Sequence, residues 1–127
     1  VKQMATITNK GLEIKAKLLN GVASTPFTYI ALGSGTTAEA NDQTALATEI
    51  TTNGGARAAA TCTYEADYKA KWEKTFNFTG NLSVNEVGIF DAASAGNMLM
   101  RHKFSATKSV ENGDSLAITI KETESRA

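Results

Sequence analysis

Residues 29–50 read YIALGSGTTAEANDQTALATEI. A short apolar run, Tyr29-Ile30-Ala31-Leu32, meets Gly33-Ser34-Gly35-Thr36-Thr37, and a helix-compatible segment follows. A strand, a glycine loop and a helix are the parts from which α/β folds build a phosphate site. If these residues are such a site, the sheet is parallel and the protein binds a nucleotide. If they are only a loop, the apolar run is one strand of a different kind of sheet.

The spacing decides for the loop. A Walker-type loop needs G-x-x-x-x-G-K-[ST], because its lysine neutralises the phosphates that the backbone amides wrap. No lysine or arginine stands within reach of Gly33–Thr37 in sequence, and the next basic residue is Arg57. The dinucleotide fingerprint would put its third glycine at Ala38, a substitution it tolerates, but it also needs an acidic residue ending a second parallel strand. Glu49 and Glu65 are available by count, yet no βαβ unit surrounds them. Residues 33–43 therefore read as a flexible turn rich in Gly, Ser and Thr, and 44–50 as a short helix or irregular segment. No cofactor is expected.

Downstream of this loop the texture is β. In 57–64, Ala58, Ala60, Cys62 and Tyr64 share a face, which makes Cys62 a buried small hydrophobe. In 72–78, Trp72, Phe76 and Phe78 share one, with Lys74 the exception. Residues 84–90, VNEVGIF, are apolar on both faces and predict a central strand covered on both sides. Glu86 is polar inside that strand, and a salt bridge or backbone hydrogen bonding is the expected reason. In 98–104, Met98, Met100, His102 and Phe104 lie opposite Leu99, Arg101 and Lys103; in 116–121, Leu116, Ile118 and Ile120 lie opposite Ala117, Thr119 and Lys121. Tight turns separate these runs and no helix intervenes between the late ones, so the pairing is antiparallel.

Upstream, residues 7–21 predict one amphipathic helix. Thr8 is the N-cap, Ile7 and Leu12 stand at hydrophobic-staple positions, and Leu12, Ala16 and Leu19 fall on one face. Glu13 and Lys17 have i,i+4 spacing, and Asn20-Gly21 supplies the stop. The fold class is thus mainly β: an antiparallel β-sandwich or open barrel of about six strands with one N-terminal α-helix.

The bulk numbers bound the function. A chain of 127 residues is one domain, residues 1–127, with residues 1–6 and 122–127 as tails that the core does not need. Lys+Arg and Asp+Glu are both 13, which argues against strong non-specific nucleic-acid binding. Cys62 is the one cysteine, so no intrachain disulfide forms. No apolar run approaches the ~20 residues a helix needs to span a bilayer, and no signal-peptide pattern is present. Met4-Ala5-Thr6 has the form of a start site, which would make residues 1–3 an upstream extension. His102 is the one histidine, so neither a His/Cys metal cluster nor a Ser-His-Asp arrangement is available, and packing is its expected role. No two carboxylates pair as acid and base. The chain reads as non-enzymatic.

The order of motifs does point to a family. "ITNKGLEIKAKLLNG", "PFTYIALGSGTTAEANDQTALATEI", "ARAAAT", "KTFNF", "VNEVGIFDAASAGNMLMRHKFSA" and "NGDSLAITIKE" follow one another from Ile7 to Lys121. The series resembles a family of small tailed-bacteriophage virion proteins. Glu86, Gly88, Ile89, Phe90, Asp91, Ala92, Ala93, Ser94, Gly96, Leu99 and Arg101 match its E-x-G-[IL]-F-[DN]-A-A-S-x-G-x-x-L-x-R block. The resemblance implies a structural role, first as a capsid decoration (cement) protein on the major capsid protein, alternatively as a tail, baseplate or fibre component. It implies location in the virion, the capsid exterior first. A homo-oligomer, with a trimer favoured, is the expected assembly. Partner contacts are expected from the tails (Val1, Lys2, Gln3, Met4 and Arg126) and from the adaptable loop Gly33, Ser34, Gly35, Thr36 and Thr37. Neither nucleic acid nor membrane is an expected partner.

Overall fold

The computed structural model describes residues 5–126. The chain runs β1 (Thr6–Ile7), α1 (Asn9–Leu19), β2 (Tyr29–Gly33), β3 (Ala58–Ala59), β4 (Thr61–Glu65), β5 (Lys69–Asn77), β6 (Leu82–Phe90), β7 (Met98–Val110) and β8 (Ser115–Thr123). All pairings are antiparallel. The strands form a five-stranded sheet in the order β1-β7-β6-β2-β3 and a three-stranded sheet in the order β4-β5-β8. Six of these eight strands have five residues or more, so the expected count matches the long strands.

The main core lies between the sheets. Ile30, Leu32, Val87 and Ile89 of the larger sheet meet Trp72, Phe76 and Ile118 of the smaller one. Trp72 also donates its indole N–H to the Phe27 carbonyl at 2.7 Å, which ties β5 to the chain entering β2. A second, smaller cluster of Ala31, Leu46, Phe90 and Met98 occupies the other face of the larger sheet. The long connection from β2 to β3 covers that face. This is why β6 is buried from Val84 to Phe90 on both faces, as its unbroken apolar pattern predicts.

Two expected faces are corrected. Cys62 and Tyr64 are exposed, although Ala58 and Ala60 pack on the core. The chain leaves the larger sheet at β3 and joins the edge of the smaller one at β4, and the alternation does not survive that crossing. In β7, Ile89 pairs with Met100 and Phe90 with Met98. Leu99 is thus the extra residue of a bulge, and it joins Met100 in the main core while Met98 faces the second cluster.

The helix forms where expected. Thr8 caps it, accepting from the Gly11 amide at 2.8 Å and donating to the Met98 carbonyl at 2.5 Å. Its buried stripe differs from the expected one. Gly11, Ile14 and Leu18 turn to the sheet, whereas Leu12 is 55% and Leu19 90% exposed. Gly11 sets this rotation: a Cβ there would stand 2.9 Å from the Leu99 Cα, so this face lies directly on the β7 backbone. Leu12 therefore does not serve as a staple. Glu13 and Lys17 do pair, at 3.0 Å, on the outside.

Candidate functional site

The chemistry of the glycine loop is decided by one carboxylate. Glu86 sits in the middle of β6, directly across from Gly33 of β2, with no exposed surface. Its Oε2 accepts the amides of Gly35 and Thr48, each at 2.9 Å. Its Oε1 accepts the Ala47 amide at 2.9 Å and the Arg101 Nε at 2.7 Å. Arg101, equally buried, donates on to the Thr37 carbonyl at 2.8 Å and to the Gln43 side-chain oxygen at 3.3 Å. Asn85 adds a bond to the Ser34 carbonyl at 3.0 Å.

The loop amides thus do hold an anion, and that anion belongs to the chain itself. Burial pushes the Glu86 carboxyl up, but the Thr48 amide, the Arg101 guanidinium and the Ala47 and Gly35 amides outweigh it and hold the group below the usual carboxylate range. The glycines are required by this approach. A Cβ on Gly33 or Gly35 would collide with the Glu86 carboxylate. With the amides occupied and Arg101 neutralised, nothing remains here to grip a phosphate. Titration with ATP or NAD in a calorimeter is accordingly expected to release no heat of binding; micromolar affinity would overturn this reading.

The loop is not the flexible, freely reshaped segment its composition suggests. Gly33 and Gly35 are buried, Ser34 is half-buried, and only Thr36 and Thr37 of the five face outward. The physical reason is the four hydrogen bonds on Glu86, which lie in the interior where they are protected from water. Of the tail residues expected to contact partners, Arg126 is exposed, and Val1, Lys2, Gln3 and Met4 lie outside the described residues.

Sequence reasoning missed a second clamp. Arg57 grips Glu49 through two nitrogens, at 2.7 and 3.0 Å, and donates to the carbonyls of Ala92 and Ala95 at 3.0 and 2.8 Å. Its guanidinium lies 3.7 Å from the centre of the Phe90 ring. The loop it holds, between β6 and β7, is closed by Asp91, which accepts from the Asn97 amide at 2.7 Å and side chain at 2.8 Å. Gly96 there has φ +74°, and its neighbour Ala95 also has positive φ. His102 sits beside Glu39, Nδ1 to Oε2 at 3.2 Å, and edge-on to Phe104. Among the described residues no three His, Cys, Asp or Glu side chains gather to hold a metal ion.

The block of residues matched in the sequence therefore has a common physical job. Glu86 and Arg101 fasten the loop after β2, and Asp91 and Gly96 shape the turn between the strands that carry them. These polar groups bond to one another and to loop amides. Comparison with known proteins agrees on the kind of protein this is: the family model described as Podophage GP4 fiber I protein gp80 matches residues 6–126. No curated protein matches the chain.

Proposed function

The chain belongs to the podophage GP4 fiber I protein family and is a virion component; on that premise we propose that it is a non-enzymatic structural protein of the phage tail or fibre, working by contact alone. The observation that carries the reading is the family match over residues 6–126. The geometry supports it. The buried ion pair of Glu86 with Arg101 is spent on holding loops, and the exposed large hydrophobic residues are Leu12, Leu19, Val22, Tyr64 and Tyr68. Capsid decoration, with the major capsid protein as partner, is the first expectation from the sequence; the family's description supports the tail or fibre alternative better.

In this reading the protein assembles as a homo-oligomer, since closed symmetric assemblies are the usual way contact proteins are organised. Many copies then convert weak single contacts into firm attachment. The test is to label purified virions with gold-conjugated antibody against this chain and to image them in negative stain. Gold at the tail or fibres is the expected result. Gold over the head shell would give the protein to the capsid, and unlabelled particles would sink the virion reading. Sedimentation of the purified protein measures the oligomer, for which a trimer is expected.

A further inference from the structure

The two sheets close on one side and stay open on the other. On the closed side the chain itself crosses from β3 to β4. On the other side β8 is an edge strand: all nine of its residues pair with β5, and no strand among the described residues pairs with its far side. The facing strand, β7, is covered by β1 only at Met100 and Arg101.

Between these two edges lie two hollows of about 340 and 370 Å³ that share Ala5, Met100, Ile120 and Lys121 and so form one seam. Phe104 and Leu116 line it as well. Phe104, Leu116 and Ile120 pack on the main core yet remain only half-buried. An apolar seam beside an unpaired strand edge is the arrangement that accepts an added strand, whose main chain completes the ladder while alternate side chains fill the gap.

The charge around the seam selects the partner. Lys69, Lys108 and Lys121 stand on its lining with one carboxylate, Glu122; Glu122 pairs with Lys15 and Lys121 with Glu65 at 3.0 Å, which leaves Lys69 and Lys108 as the lining cations outside an ion pair among the described residues. Lys108 makes no ion pair among the described residues; its ammonium lies 5.3 Å from the centre of the Phe104 ring. A partner here meets a positive rim, and acidic residues complement it.

We propose that this seam receives an extended segment of a partner protein, apolar at alternate positions and acidic at the others, added as a strand to the free edge of β8. The proposal deepens the contact reading above and rests on it. The assay below uses the isolated chain, so its failure and a failure of the particle labelling are separate results.

The probe is a fluorescein-labelled nonapeptide that alternates valine with glutamate, measured by fluorescence polarisation against the full chain at low salt. Saturable binding is expected. A matched peptide with lysine in place of glutamate should bind at least ten-fold more weakly. Lys108→Glu, an exposed substitution that leaves the core untouched, should weaken the acidic peptide at least three-fold with an unchanged far-UV spectrum. Hydrogen exchange should slow at β8 amides when the acidic peptide is added. No binding, equal binding of the two peptides, or indifference to Lys108→Glu each overturns the proposal. Protection of β8 that grows with protein concentration alone would give the seam to a second copy of this chain instead.

Discussion

Glu86→Ala is expected to cost at least about 3–5 kcal/mol, enough to leave the chain largely unfolded under mild conditions. Removing one partner of a buried ion pair costs about that much, because the other charge stays buried without compensation. Here the stranded charge is Arg101, which has no exposed surface. The amides of Gly35, Ala47 and Thr48 lose their acceptor in the same stroke. Each such loss adds about 1–3 kcal/mol where water cannot enter. Set against a total stability of about 5–15 kcal/mol for a domain, this is most of what the fold has. Urea unfolding followed by Trp72 fluorescence measures it. A cost under about 1 kcal/mol would mean that water replaces the carboxylate and that the loop is not clamped.

The same carboxylate sets the response to acid. Its pKa is lowered in the folded state, so its contribution is complete above the unfolded carboxylate value, near 4.5, and is lost as pH falls through the lower folded value. Glu39 behaves alike: burial pushes it up, but the Thr6 hydroxyl, the Lys103 amide and His102 hold it below the usual range. The melting temperature of the native chain should therefore drop as pH falls below the unfolded carboxylate value near 4.5. Glu86→Gln should be less stable at neutral pH and should show a shallower acid decline.

Phe76→Ala should cost about 3–5 kcal/mol, the usual range for truncating a buried phenylalanine, through lost burial and the cavity it leaves. Phe76 has almost no exposed surface and sits in the core shared by the two sheets. In a domain of this size about 4 °C of melting temperature accompanies each kcal/mol, so a fall of roughly 12–20 °C is expected by calorimetry. A fall of a degree or two would mean that the sheets close over the gap. The loss should leave the Glu86 clamp intact, since that clamp lies on the opposite face of the larger sheet. Acid sensitivity should persist in the variant at its lower melting temperature.

Local pattern was enough for much of this molecule. The alternation around Trp72, Phe76 and Phe78 placed them inside, and the doubly apolar run from Val84 to Phe90 marked the central strand, because burial on one or both faces is written in the period of the side chains. The helix cap at Thr8 and its stop at Gly21 were legible for the same reason, since caps are bonds between near neighbours. The lack of a lysine or arginine beside Gly33–Thr37 in sequence argued against a Walker-type loop, but it did not show that Arg101 reaches the Thr37 carbonyl from 64 residues away.

What answers the glycine loop lies 51 residues away, at Glu86, and its partner Arg101 lies 15 residues further on. No spacing rule reaches that far, so the loop's composition read as flexibility when its glycines are there to admit a carboxylate. Arg57 escaped for a similar reason: it joins Glu49 to the carbonyls of a loop more than 30 residues downstream. The bulge at Leu99 and the crossing from β3 to β4 moved side chains between faces, because register is set by the partner strand and the pattern of one strand alone cannot report it. The open seam beside β8 is likewise a property of two edges brought face to face. The sequence by itself determined where the helix and the long strands run and that the strands pair antiparallel; the tertiary structure alone decided which strands are neighbours, which edges stay free and which polar groups consume one another, since these depend on contacts between residues far apart in the chain.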